Sequence, residues 1–366
     1  MHSDALLVIV VAAALAFDFT NGFHDTANVV AASISTRALS PRAAVTIASL
    51  LNFAGAFISL KVAATIATGI IDAAQVSETI AFAGLIGAIT WNLTTWLYGL
   101  PSSSSHALIG GIVGAMLAGV GGAGVKADGV LGKVVIPGLI APVLAFVVAA
   151  ASIVLIYWLI ARRRPGIVTR GFRAGQVVSS AMLSLAHGTN DAQKTMGVIG
   201  LALVAHGDFT AQHFHVPTWV VVSAASAIAL GTFAGGWRII RTVGMRIIKM
   251  DTAQGFVSQG AGAAVILASS HFGYPLSSTH VISGGVMGAG AAKRVSAVRW
   301  GVAGTIGVAW ALTLPGAGLF GALAWWLADV FGAGALGPLL ITLVAGGVLA
   351  MLALVRRVRV SEPVRV

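Results

Sequence analysis

Residues 17–28 read FDFTNGFHDTAN and lie inside the first of many long apolar runs. Asp18, His24 and Asp25 fall within eight residues of one another. An ionisable side chain at bilayer depth costs at least roughly 2.5–3.5 kcal/mol, so such groups face a bundle interior or a cavity rather than lipid. Residues 187–194, HGTNDAQK, repeat the shape in the second half, with glycine in second place and aspartate in fifth. These two motifs are expected to meet near the bilayer centre and hold a polar solute between them.

The surrounding chain supports a membrane setting. Of 366 residues, 57% are hydrophobic and 9% charged, where a soluble domain carries about 25% charged residues. Apolar runs cover 5–36, 43–71, 79–100, 106–123, 134–161, 176–205, 217–237, 253–272, 280–292, 299–328 and 334–355. Runs 106–123 and 280–292 are short for a crossing and read equally well as arms of re-entrant hairpins. The N-terminal stretch lacks a positive n-region and is read as a retained span, not a signal peptide. With no cysteine there is no disulfide framework and no thiolate metal site.

The net charge of +11 does not indicate nucleic acid, because the basic residues sit in short loops between apolar runs. With the N-terminus outside, segments 37–42, 162–173, 238–249, 293–299 and the tail from 356 lie inside and carry 18 of the 22 Lys and Arg. The outside loops keep only Lys126 and Lys133. That bias places the C-terminus in the cytoplasm of a multi-pass plasma-membrane protein surrounded by lipid.

A second repeat accompanies the first. GLPSSSSHALIGG (99–111) matches GYPLSSTHVISGG (273–285), and the two pairs of motifs are offset by 166 and 174 residues. Five runs precede the second copy, so it enters the bilayer from the opposite side, as in the inverted-topology repeats of many secondary transporters. The expected fold is an all-α polytopic bundle of two inverted repeats, about five segments each, with hairpin-like breaks at 99–106 and 273–280. The first repeat spans 1–161, a cytoplasmic linker 162–175, and the second repeat with its basic tail 176–366.

Asp25 and Asn28 are three residues apart and share a helix face, as do Asp191 and Lys194. Gly22 and Gly188 precede them, where a helix could break and free backbone groups to line a cavity. The alternative is an interhelical hydrogen-bond cluster that only holds the bundle together. The serine motifs place Pro and hydroxyls before an apolar Gly-rich run, the signature of a helix start. Such an end binds anions, or is simply capped. Bare sulfate has acceptors alone and would be repelled by Asp25 and Asp191. Phosphate that carries P–OH groups could donate to them, and the same aspartates could hold a proton or cation.

At these residues the chain resembles the inorganic phosphate transporter (PiT) family. NGFHDTAN, AHGTNDAQK, GLPSSSSH and YPLSSTH match its signatures in order across nearly the whole length. The resemblance implies a secondary transporter in which Asp25, Asn28 and Asp191 contact phosphate or the coupling ion. Ser104, Ser105, Ser278 and Thr279 would bind phosphate oxygens. It also implies a homodimer. Lys194 stands where sodium-coupled members have asparagine, and an ammonium there replaces a sodium ion and adds a titratable group. The expectation is phosphate uptake coupled to protons, with sodium as the other coupling ion to weigh. Asp18, Asp25, Asp191 and Lys194 are the coupling candidates, and the cargo is free phosphate or a divalent metal–phosphate complex. The resemblance points to the low-affinity bacterial branch.

No resident metal or cofactor and no P-loop is expected. The alternatives are a sodium-coupled phosphate or sulfate carrier on the same scaffold and, more remotely, a membrane-embedded serine hydrolase. Asp18 lies seven residues before Asp25, as an accessory proton site or a bundle hydrogen-bond partner. His24, His106, His187 and His280 flank the motifs as hydrogen-bonding groups. His206, His213 and His215 read as part of a solvated outside loop, with metal capture the alternative.

Overall fold

The computed structural model describes residues 4–332 and 334–347. The part of the last run beyond 347, and the basic tail, lie outside the described residues. Among the described residues the chain is helical, and its strand-like pairing is a single bridge between Ile71 and Val125.

The first half contains α1 (Asp4–Ser35), α2 (Pro41–Gly55), α3 (Lys61–Thr68), α4 (Glu78–Tyr98), α5 (Ser104–Gly119) and α6 (Ala127–Ile160). The second half contains α7 (Pro165–His206), α8 (Thr218–Ala234), α9 (Trp237–Arg246), α10 (Thr252–His271), α11 (Ser278–Lys293) and α12 (Trp300–Asp329), followed by α13 (Leu336–Gly347). Helix starts follow the local chemistry. Ser40, Ser77, Ser103 and Ser277 each accept a hydrogen bond from the backbone N–H three residues on, and Asp251 closes a capping box with Gln254. Gly99 (φ 66°) ends α4 and Gly273 (φ 77°) follows α10, so each serine hairpin turns on a left-handed glycine.

Among the described residues, four helices are long and apolar enough to cross a membrane: α1, α4, α6 and α12. The pair α8–α9, bent by 58°, makes a fifth. The run expected over 43–71 is likewise divided, into α2 and α3. Helices α7 and α10 are polar for a span. They bury Gln176, His187, Asn190, Asp191, Lys194, Gln254, Ser258 and Gln259 inside the bundle, where protein rather than lipid surrounds them. The segment read as a linker, 162–175, is helical from Pro165 onward and runs unbroken into the span; a proline at the first helical position has no N–H to lose.

One expectation is corrected. Neither α1 nor α7 breaks at its motif glycine; both run straight through. A Cβ on Gly22 would lie 2.4 Å from the Ile228 carbonyl oxygen of α8, and one on Gly188 would lie 2.1 Å from that of Asn52 in α2. The glycines permit backbone-to-backbone packing of helices, the small-residue mode of membrane bundles.

Two large apolar clusters sandwich the polar layer. Along α1, Leu6 to Phe17 belong to one and Ala27 to Ala32 to the other. Along α7 the order is reversed: Leu183 and Ala186 belong to the second, Ala192 to Leu203 to the first. The two helices therefore traverse the same layers in opposite directions. Similarly, α5 leaves the polar layer into the first cluster and α11 into the second.

Candidate functional site

The polar layer is built from α1, α7 and the first turns of α5 and α11. Asp25, Asn28, Ser104, Ser105, Asp191, Lys194, Ser278 and Thr279 are each at most 3% exposed, so the layer is closed to water from both sides. With Ser103 and Ser277 spent as caps, the next two hydroxyls of each hairpin lie in the first helical turn.

Those side chains converge. The Ser278 hydroxyl sits 3.3 Å from Asp25 Oδ2 and 3.3 Å from Asp191 Oδ2, and its one proton serves either carboxylate. Asn28 Nδ2 donates to Thr279 Oγ1 at 2.9 Å and reaches Ser278 Oγ at 3.3 Å. Thr279 Oγ1 lies 3.4 Å from Asp25 Oδ1. The Lys194 ammonium donates to Asp191 Oδ1, to Ser105 Oγ and, at 2.9 Å, to the Leu276 carbonyl, using all three protons. Ser105 in turn donates to that same carbonyl at 3.0 Å, tying one hairpin tip to the other. Ser104 Oγ is buried without a hydrogen-bond partner.

Each carboxylate also meets an imidazole. His24 Nδ1 is 2.8 Å from Asp25 Oδ1, and His187 Nε2 is 3.0 Å from Asp191 Oδ2. Behind the hairpin serines, His106 and His280 meet edge to face with ring centres 4.8 Å apart. Atoms of Asp25, His187 and Asp191 lie within 4.8 Å of one another, a donor set suited to a cation. Asp18 is buried and makes no hydrogen bond to the serine–carboxylate cluster.

Several contributors have only weak signals in the sequence. Asn52, a lone amide in an apolar run, orients His187 Nδ1 at 3.2 Å and donates to Thr232 Oγ1 at 2.8 Å. Thr95 and Ser102 hold His24 Nε2 at 3.2 and 3.4 Å. Gln193 accepts from the backbone N–H of Val62 and Ala63, serving the start of α3, which has no cap of its own. His206 pairs with Glu78 and Asp4, while His213 and His215 make local loop contacts. The three do not gather as a metal site.

The hydrolase reading loses its geometry. Ser105 is held by an ammonium and a carbonyl, and an ammonium locked on a carboxylate cannot serve as its general base. A sealed polar layer shared by two oppositely directed helix pairs, in a multi-pass helical membrane protein, defines a transporter rather than an enzyme.

The family follows from comparison. The sequence model of the Phosphate transporter family matches residues 21–321, and the chain belongs to that family. It is 54% identical over 331 residues to a probable low-affinity inorganic phosphate transporter of Mycobacterium tuberculosis, covering 89% of this chain and 78% of the relative. A Bacillus subtilis protein with the same description is 41% identical, covering 89% and 98%. A solved structure described as the sodium-dependent phosphate transporter superposes with a TM-score of 0.83 at 25% identity, covering 89% of this chain and 99% of that one.

Proposed function

We propose that the chain imports inorganic phosphate by secondary transport in symport with protons. The observation that carries this reading is the Ser278 hydroxyl held between Asp25 and Asp191, 3.3 Å from each, with Thr279 and Asn28 beside it. Hydroxyls and an amide can donate to phosphate oxygens, while the two carboxylates accept from P–OH groups. Asp25, Asn28, Ser104, Ser105, Asp191, Lys194, Ser278 and Thr279 are the proposed substrate site. A fully unprotonated oxyanion such as sulfate would face two carboxylates with nothing to donate, which disfavours it.

Lys194 supports protons over sodium. Its ammonium fills the position beside Asp191 with fixed charge and satisfies the nearby acceptors. Asp18, Asp25, Asp191 and Lys194 are the coupling groups to test. The sodium-dependent description of the structural neighbour supports the second reading, in which sodium drives uptake. The donor set of Asp25, His187 and Asp191 suits a divalent metal travelling with phosphate as cargo. The opposed courses of α1 and α7 support inverted repeats, and the charge bias supports an outside N-terminus and a cytoplasmic C-terminus. A homodimer is the assembly to test.

The experiment is radiolabelled phosphate uptake in proteoliposomes, with proton and sodium gradients imposed separately. Uptake should follow the pH gradient and collapse with an uncoupler. A steep rise with sodium at fixed pH, indifferent to the uncoupler, would favour the second reading. Adding a divalent cation to either arm separates free phosphate from a metal complex.

A further inference from the structure

The offset of 166 residues that superposes the two aspartate motifs pairs Asp25 with Asp191, but it pairs Asn28 with Lys194 and Asp18 with Ser184. Each motif also carries one histidine at a place where the other has asparagine (His24 with Asn190, His187 with Asn21); beyond these, the motif is broken by a lysine in the second half and an extra aspartate in the first. The two odd groups lie within electrostatic reach of each other, since Lys194 and Asp191 are the charges acting on Asp18.

Their surroundings differ sharply. Ser184 is satisfied: its hydroxyl donates to the Ser180 carbonyl at 2.7 Å. Asp18 is 0% exposed, and neither carboxylate oxygen has a hydrogen-bond partner. Asn21, one turn on along α1, and Thr195 on α7 flank it. The Asn21 side-chain oxygen and the Thr195 hydroxyl are also without partners. An unpaired ionised carboxylate in a dry interior is strongly disfavoured, and natural proteins rarely keep one. A hydrogen-bond role within the bundle, the other reading of Asp18, rests on Asn21 and Thr195 alone, and no charged partner faces either oxygen at bonding distance.

We infer that Asp18, seated with Asn21 and Thr195, is a proton site of its own, separate from the carboxylates that meet the substrate. This rests on the proton-coupled reading above and deepens it. Lys194 is the fixed charge of the pair and Asp18 the one that changes. When the layer opens to the outside, one proton from water bonds to a carboxylate oxygen of Asp18 and neutralises it. The closed layer then carries a neutral acid. When it opens inward, the O–H bond breaks and the proton returns to water on the far side. Asp25 and Asp191 remain free to hold the substrate throughout, which separates binding from coupling.

The test uses the full chain in proteoliposomes with two assays. One is exchange of labelled for unlabelled phosphate at equal pH; the other is accumulation driven by a pH gradient. Asp18→Asn should keep exchange within about twofold of wild type and lose gradient-driven accumulation at least tenfold, with Asp18→Glu restoring it. Accumulation by Asp18→Asn equal to wild type overturns the inference. So does loss of exchange in a variant whose melting temperature is unchanged. Should Asp18→Asn fail to fold, Thr195→Val decides: it should shift the pH dependence of accumulation while exchange persists, and an unmoved pH profile overturns the inference. Failure of the underlying reading looks different: the wild-type chain itself would then accumulate phosphate on a sodium gradient and not on a pH gradient.

Discussion

Asn28 and Lys194 hold matching places in the two motifs, and each reaches across to the hairpin of the other half. Asn28 donates to Ser278 and Thr279; Lys194 donates to Ser105. The backbone plan is shared, but the electrostatics are not. In the first half Asp25 meets an imidazole and hydroxyls and has no fixed cation. In the second half Asp191 is already neutralised by an ammonium. A site with two equal halves could take two equal cations; this one has filled one seat with its own side chain. The largest test of that contrast is to make the halves alike. Lys194→Ala leaves the buried Asp191 without its ammonium, with only the His187 imidazole and the Ser278 hydroxyl beside it, a loss of up to about 3–5 kcal/mol, so the melting temperature should fall steeply in a thermal-shift assay. Lys194→Asn restores an amide that can reach the same acceptors. It should fold better than the alanine variant and gain sodium-stimulated uptake. Uptake by Lys194→Asn that stays indifferent to sodium would break the link between this lysine and the choice of ion.

The two aspartates should differ in the same direction. Asp191→Asn strands the Lys194 ammonium in the closed layer and should cost about 3–5 kcal/mol of stability. Asp25→Asn strands no cation. It should leave the melting temperature within a few degrees of wild type while phosphate affinity falls. The loss of one hydrogen bond to a charged group, about 1.5–3 kcal/mol, corresponds to roughly ten- to a hundredfold. Equal destabilisation by the two substitutions would show that the halves are electrically alike after all.

Much of this asymmetry is legible in the sequence, because charge in an apolar run cannot be ignored. Asp25, Asp191 and Lys194 stand out by cost alone, and a spacing of three residues puts Asn28 on the face of Asp25 and Lys194 on the face of Asp191. Gly22 and Gly188 are not legible in the same way. A break and a close approach both call for a missing side chain, and only the neighbouring carbonyls of Ile228 and Asn52 decide between them. The charge of RRRPGIVTRGFR suggests a loop, whereas Pro165 fits the first turn of α7 without cost. The crossing of Asn28 to Thr279 spans 251 residues, and no local pattern encodes such a pairing. The setting of Asp18 is hidden for a related reason, since Thr195, which flanks it, comes from a helix far away in the chain.

A smaller contrast concerns the join between the halves. Asn52 and Thr232 come from α2 and α8, just before the break in each half, and they are bonded to each other at 2.8 Å. Helix-to-helix hydrogen bonds in membranes average about 0.6 kcal/mol in double-mutant cycles. A cycle of Asn52→Ala and Thr232→Val should return a coupling of that order by reversible unfolding. A second consequence sharpens the comparison: freeing Asn52 also frees His187, so Asn52→Ala should weaken phosphate affinity, while Thr232→Val should not.

The smallest expected effect lies at the rim, where Ser77 and Asp251 hold matching places under the offset of 174. Both cap a helix, Ser77 accepting from Ile80 N–H at 3.2 Å and Asp251 from Gln254 N–H at 2.9 Å. Only the second can titrate. Burial pushes the Asp251 carboxyl up, but hydrogen bonds from the Gln254 N–H, the Tyr157 hydroxyl and the Lys293 ammonium outweigh it and hold it below the ordinary carboxylate range. A lowered folded-state value means the stabilisation is present above the ordinary carboxylate range and is lost as pH falls through the lowered value. Asp251→Ser makes the two caps alike. It should lower the melting temperature slightly at neutral pH, since the half-exposed pair contributes less than about 1 kcal/mol. The gap to wild type should close in acid, when the native carboxyl takes up its proton. A gap that stays constant with pH would place the whole difference in the geometry of the cap rather than in its charge.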